Sequence, residues 1–430
     1  MDGDDKQGKL GFNATWSMAV GGMVGGGIFS TLGLVIAIAG AWAWLSFAVA
    51  GVIALGAGYC YVKLATRFGE GGGAFTFLRK IHADGFAGSL SWVLLIGYVL
   101  TNAVYAFTFG EYLGHLAGLG PWFPRAAAVA IMAVFVGLNL RGAGDAGGVE
   151  VALVWFKLAV LVGLAVWGLA LWAPERLAEE TGEGGVLAAM FGAGSVFMAY
   201  EGFQLLTYDY EDIRDPARTL KRAGLWAIVV VIGVYVLVAL GTAMIVGAEQ
   251  IVAHKEVALS IAGEALLGTF GLVLVTVAAA ASTGSAINAT LFATARLSRV
   301  VAQAGELPRI FEHENQHAVL DRAVLVLGGL VAALAAFGSM AVLVEAASLA
   351  FLFTFAVVAC LAWWLRAGRR WATGGTAILA SAALVALIVR VVSHSLWTLA
   401  FLAALVLVAV FARPWLLRHV STDRDGGADD

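Results

Sequence analysis

The chain has 430 residues, of which 61% are hydrophobic and only 13% charged, and its mean hydropathy is +0.89. A soluble domain of this length would carry roughly 25% charged residues, so the composition excludes a soluble globular protein and puts the chain in a bilayer. The net charge of −3 says nothing about nucleic acid and no basic stripe suggests it, and the two cysteines, Cys60 and Cys360, each in an apolar run, imply neither a disulfide framework nor a thiolate metal site.

A helix needs about 20 apolar residues to cross the hydrocarbon core. After a short polar tail (1–13), such runs are predicted at about 14–39, 41–65, 88–116, 123–141, 149–172 and 186–208. A second set follows at about 223–247, 266–297, 322–339, 341–365, 374–391 and 395–417, before an acidic tail at 418–430. The first run is longer than a signal peptide and has no cleavage pattern, so it reads as a retained helix. With the N-terminus in the cytoplasm, 21 of the 26 Lys and Arg residues fall in cytoplasmic segments and four outside, with Lys157 inside a span. That asymmetry is a positive-inside signal for both termini in the cytoplasm of a plasma-membrane protein. The acids Glu175, Glu179, Glu180, Glu183, Glu249 and Glu256 fall on the external side.

Glycines divide the twelve spans. Gly21, Gly22, Gly25, Gly26 and Gly27 crowd the middle of the first span, and Gly192, Gly194 and Gly202 the sixth. Glycine weakens a helix interior, so both spans are predicted to be interrupted. Two interrupted spans five apart begin two halves, and an odd number of crossings inverts the second half against the first. The predicted fold is therefore all-α and integral to the membrane, with a 5+5 inverted repeat of the LeuT-like kind (14–172 and 186–365) plus two C-terminal helices (374–417). Glycine clusters also let helices pack closely, and either cluster alone is open to that reading.

Four stretches resemble the amino acid–polyamine–organocation (APC) superfamily of transporters: GMVGGGIF at 22–29, RFGEGGGAFTFLR at 67–79, AYEGFQLLTYDYEDIRDPAR at 199–218, and the run 282–311 with its Ser298-Arg299…Gly305…Leu307-Pro308…Phe311 ending. In two places the chain departs from the family pattern: Gln204 stands where many relatives carry an acid, and Asp215 replaces the usual Asn before Pro216. The resemblance implies the same 5+5 fold with discontinuous first and sixth helices. It also implies an amino acid permease similar to proton-coupled, broad-specificity prokaryotic transporters.

An amino acid zwitterion presents a carboxylate and an ammonium, and a broken helix offers free N–H groups on one side of the break and free carbonyls on the other. Gly25, Gly26 and Gly27 would let the carboxylate approach the backbone. Carbonyls at Gly22, Met23 and Val24, and from Val196 to Ala199, would take the ammonium. Tyr98 and Asn102, spaced i and i+4, share a face of the third span; each is either a pocket residue or a packing and bridging group. Tyr200, Glu201, Gly202, Phe203 and Gln204 lie in the sixth-span break, where the resemblance makes Phe203 a lid over the substrate. Glu201, an acid at membrane depth, recognises a cationic side chain or takes up a proton; the residues leave both open.

Lys157 lies in the apolar run VALVWFKLAVLVGLAVW, two turns inside its span. It either snorkels to the interface or is buried with a depressed pKa, able to lose and regain a proton. Several APC-superfamily members carry a lysine here, where sodium-coupled relatives of the fold bind sodium. Its expected neighbours are the first-span carbonyls and Ser282 or Ser285. Proton-coupled symport of neutral amino acids is the expectation, with amino acid or amine exchange, on cationic substrates as well, as the alternative. Arg67, Glu70, Asp209, Glu211, Arg214, Arg218 and Arg296 are expected either to form a cytoplasmic ion-pair gate or simply to be solvated. No Ser/His/Asp set, aspartate dyad or histidine cluster lies within the spans, so no enzyme activity, metal or cofactor is expected. Paired breaks also fit alternating access better than a channel. The expected partners are the substrate, the proton and the lipid bilayer, with the protein a monomer or homodimer.

Overall fold

The computed structural model describes residues 10–142, 147–177, 184–394 and 398–405. Its helices in chain order are α1 (Phe12–Met23), α2 (Gly27–Ala39), α3 (Ala43–Phe68), α4 (Gly73–Arg79), α5 (Asp84–Ala117), α6 (Phe123–Leu140), α7 (Gly147–Leu171) and α8 (Gly185–Ser195). After a run of 3-10 turns come α9 (Pro216–Thr219), α10 (Leu225–Val246), α11 (Ala248–Ala253), α12 (Ala258–Leu267), α13 (Thr269–Gln303), α14 (Asp321–Phe337), α15 (Met340–Trp364) and α16 (Arg370–His394). Residues 398–405 are also helical. Among the described residues, eight helical stretches are long and apolar enough to cross a membrane. The protein is a multi-pass membrane protein.

Apolar residues are both inside and outside this bundle, as a lipid solvent requires. α5 runs through its middle, with Tyr98, Tyr105 and Tyr112 all fully buried, packed by α6, α13, α14 and α15. The outer helices instead turn Val134, Leu138, Ile378, Val385 and Val389 to the exterior. Without a hydrophobic drive between helices, close approach of backbones holds them. α7 and α10 cross in this way, where a Cβ on Gly168 would lie 2.1 Å from Gly241 O.

Helices occupy most of the predicted positions, with the expected interruption in the first run and two differences. The first run is split into α1 and α2, with Val24, Gly25 and Gly26 between them. The sixth run, expected as a broken helix over 186–208, is α-helical only to Ser195; beyond it, 3-10 turns at Phe197–Tyr200, Phe203–Thr207 and Tyr210–Asp212 replace the second half. Four short helices, α4, α9, α11 and α12, were not expected, because segments this short carry too few periodic positions to be read. α4 nonetheless buries Phe75, Phe77 and Leu78. Of the predicted twelfth span only 398–405 is described; residues 1–9 of the first tail, the second tail, and Glu179, Glu180 and Glu183 lie outside the described residues.

Candidate functional site

The two breaks face each other at the centre of the bundle. Gly202 has φ +129° and ψ −36°, and a Cβ there would sit 2.5 Å from Gly22 C and 2.6 Å from Met23 N. No L side chain fits either that dihedral or that space. The glycine clusters are thus where one broken backbone lies directly on the other.

A helix end leaves carbonyls and N–H groups without intrahelical partners, and burial makes each orphan costly. Side chains from four other helices capture them here. At the first break the Lys157 ammonium (α7) donates to Gly21 O at 3.1 Å. The Tyr235 hydroxyl (α10) reaches Met23 O at 2.6 Å and Ala199 O at 2.9 Å, tying one break to the other. The Ser282 hydroxyl (α13) faces Val24 O and Gly25 O, the latter at 2.6 Å. At the second break Ser348 (α15) donates to Ser195 O at 2.8 Å and accepts from the Met198 N–H at 3.0 Å. Lys157, Ser282 and Ser348 are all wholly buried; Lys157 does not snorkel. Ser285, grouped with Ser282 in the sequence reading, donates instead to Ser282 O in its own helix.

Polar side chains of α5 line the other flank. The Tyr105 hydroxyl donates to Glu201 Oε2 at 3.3 Å, and Gln204 Nε2 donates to Glu201 Oε1 at 2.9 Å. Gln204 Oε1 accepts from the Gly202 N–H at 3.0 Å, while its Nε2 also lies 3.4 Å from the Tyr98 hydroxyl, which in turn is 3.4 Å from the Tyr208 hydroxyl. Gln204, where relatives carry an acid, is therefore the hub of this network. Asn102 is buried and its Oδ1 has no partner among the described residues. The Tyr105 ring covers Gly26, while Ala286 and Ala199 lie against Gly25 and Gly27. Phe203 is buried against Tyr61 and Phe355, with ring centroids 6.1 and 5.3 Å away, and Tyr200 donates to Phe47 O at 2.7 Å.

The charged cluster at the arginine-rich end assembles only in part. Arg296 and Asp209 pair at 2.9 Å. Burial pushes the Asp209 carboxyl above the usual carboxylate range, with Arg296 beside it pulling the other way. Arg67 does not meet Glu211: it donates to Leu365 O at the end of α15. Glu70 pairs with Lys80. Glu211 and Arg218 form no ion pair among the described residues, and Arg214 engages Leu10 through its backbone, its N–H donating to Leu10 O at 2.9 Å. The Leu10 N–H donates to Asp212 O at 2.8 Å, so the chain just before α1 is clipped to the segment after the second break. At the opposite end a cavity of about 430 Å³ opens between α5 and α11, lined by Glu111, His115, His254 and Glu256.

Sequence reasoning missed Tyr105, Tyr235 and Ser348. Tyr105 was legible, since Tyr98, Asn102 and Tyr105 follow the i, i+4, i+7 spacing of one helix face. Tyr235, the lone hydroxyl in the 22 residues of α10 apart from Thr242, carried a weaker signal. Ser348 is one small residue among several and read as packing.

Two interrupted helices whose freed backbone groups meet a polar centre inside an apolar bundle define a membrane transport protein. A model of the family described as amino acid permease matches residues 10–422. The chain is 32% identical to the uncharacterized protein MJ0609 of Methanocaldococcus jannaschii over 313 residues, 72% of each chain. It is 30% identical to the inner membrane transport protein YbaT of Escherichia coli over 372 residues, 85% of each. It is 24% identical to the serine/threonine exchanger SteT of Bacillus subtilis over 309 residues, 70% of this chain and 69% of SteT. The protein belongs to the amino acid permease family of the APC superfamily: it is an amino acid transporter, not an enzyme.

Proposed function

We propose that the protein imports neutral amino acids across the plasma membrane by alternating access, in symport with a proton. The observation that carries this reading is Lys157, wholly buried, with its ammonium on Gly21 O beside the first break. A fixed side-chain cation there does the work that a sodium ion would otherwise do, and a lysine can give up its charge each cycle. The topology proposed with it has twelve spans in a 5+5+2 order and both termini in the cytoplasm, resting on the glycine clusters and the 21-to-4 split of basic residues. On that reading Lys157 and Ser348 occupy the fifth helix of each repeat, and each holds a carbonyl of the broken helix of its own repeat, Gly21 O and Ser195 O.

The substrate carboxylate is proposed to meet the N–H groups of Gly25 to Gly27 once Tyr105 turns away from Gly26, and the ammonium to meet the carbonyls of the two breaks. Asn102 Oδ1 supplies a further acceptor. A neutral substrate is favoured because Glu201 is buried with each oxygen already held by a donor, Tyr105 and Gln204, so a cationic side chain would have to share or displace them. Exchange is the second reading, favoured by the similarity to a serine/threonine exchanger. The arginine-rich end is proposed to be the cytoplasmic gate, with Asp209–Arg296 as its ion pair. Uptake of labelled amino acids into proteoliposomes, with and without an inward proton gradient, tests the reading. Accumulation driven by the gradient supports symport, and uptake that requires preloaded amino acid supports exchange.

A further inference from the structure

Glu150 lies in the first turn of α7 and Lys157 seven residues further on, so both side chains share one face, about 10 Å apart along the axis. They converge on one residue of α1. Lys157 donates to Gly21 O, and a Cβ on Gly21 would meet Glu150 Oε1 at 3.1 Å and Val154, between the two, at 3.3 Å. Trp16 and Trp155 lie with ring centroids 5.5 Å apart, so α1 runs along this face of α7. Helical side chains lean toward the helix N-terminus, which tilts the Lys157 stem toward Glu150. Lys157 is wholly buried and Glu150 half-buried.

Few other titratable groups lie on the elements packed against this face. α1 carries none. α10 carries only Tyr235, whose hydroxyl is held by Met23 O and Ala199 O. α13 carries only Arg296 and Arg299, paired with Asp209 and Glu314. Across α7 and these three helices, Glu150 is the one acid, and it shares a face of α7 with Lys157.

We propose that Glu150 relays the coupling proton between Lys157 and water at the N-terminal end of α7. When α1 moves off α7, Gly21 leaves the space between the two groups. An N–H bond of the Lys157 ammonium breaks, directly or across one water, and an O–H bond forms on the Glu150 carboxylate, leaving a neutral amine and a carboxylic acid. Glu150 then gives that proton to solvent. This inference rests on Lys157 being the coupling group, as proposed above.

The test uses the full chain in liposomes, with Glu150→Gln, Glu150→Asp and Lys157→Ala beside the parent protein. Two quantities are read: counterflow of labelled amino acid at equal pH, and accumulation driven by a proton gradient as a function of pH on the N-terminal side. Glu150→Gln is expected to keep counterflow within twofold, to lose gradient-driven accumulation at least tenfold, and to lose its dependence on that pH. Glu150→Gln with parent accumulation and pH profile, while Lys157→Ala loses both, overturns the relay alone. Parent-like gradient-driven uptake in Lys157→Ala overturns the Lys157 reading itself. If Glu150→Gln also loses counterflow, Glu150→Asp decides: restored accumulation supports a relay, and failure to restore it overturns one.

Discussion

Replacing Gly202 by alanine attacks the contact on which the two breaks rest. The new Cβ would lie 2.5 Å from Gly22 C, 2.6 Å from Met23 N and 2.9 Å from Gly22 Cα, all backbone atoms that no rotamer change can move aside. Ordinary carbon contacts are about 3.5–4.0 Å, so the two backbones must part by roughly 1 Å. A non-glycine residue held at this dihedral costs about 1–3 kcal/mol, and forced overpacking costs a similar ~1–3 kcal/mol. At about 1.4 kcal/mol per tenfold, a total of roughly 2–6 kcal/mol predicts at least a 30-fold loss of transport efficiency. Initial rates of labelled amino acid uptake, in liposomes matched for protein content, measure it. Gly233→Ala on α10 is the control, since nothing lies within 4 Å of its Cβ, and it should transport normally. Uptake by Gly202→Ala within twofold of the parent would refute the claim that the breaks are held in contact.

The capture of freed backbone groups predicts that Ser282→Ala and Ser348→Ala each strand buried partners, at ~1–3 kcal/mol apiece, so uptake should fall about 5- to 100-fold in both. Wild-type kinetics in either variant would contradict its assignment. Tyr235→Phe, which removes the one hydroxyl shared by both breaks, should cost about tenfold in the same assay by the same reasoning. For Asp209 the sign follows from burial outweighing Arg296: the raised carboxyl pKa means that protons favour the closed segment, and this gain is lost as pH rises through the raised value. Hydrogen exchange of 208–214, corrected for intrinsic rates, should slow on acidification. At neutral pH, Asp209→Asn should be at least as protected as the parent, whereas Arg296→Gln, which leaves the acid unpaired, should exchange faster and recover in acid. Exchange that quickens on acidification would contradict the assignment.

How legible the site was depended on how many residues carried each signal. Five glycines in seven positions could not be an ordinary helix interior, and the first break falls within them, at Val24–Gly26. Lys157 was conspicuous because a charge inside an apolar run has no bland explanation once it is buried. The second half of the sixth run misled for the opposite reason. Phe203 to Thr207 is apolar enough to read as helix, but Gly202 at φ +129° and the Gln204 side chain's hold on the Gly202 N–H turn the chain away from α geometry. Of the charges named at the arginine-rich end, only Asp209 and Arg296 pair with each other among the described residues, while Arg67 meets Leu365 O and Glu70 meets Lys80, contacts that spacing along the chain does not reveal. Ser348 and Tyr235 were missed because hydrogen bonds across about 150 and 212 residues leave no mark on local pattern.

Simultaneous proton and amino acid movement tests the central claim most directly. Liposomes carrying the protein and a lumenal pH dye, with no imposed gradient, are given a neutral amino acid outside. The account predicts lumenal acidification that keeps pace with amino acid entry and disappears in Lys157→Ala. Amino acid entry without any lumenal pH change, balanced instead by exit of a preloaded amino acid, would contradict it.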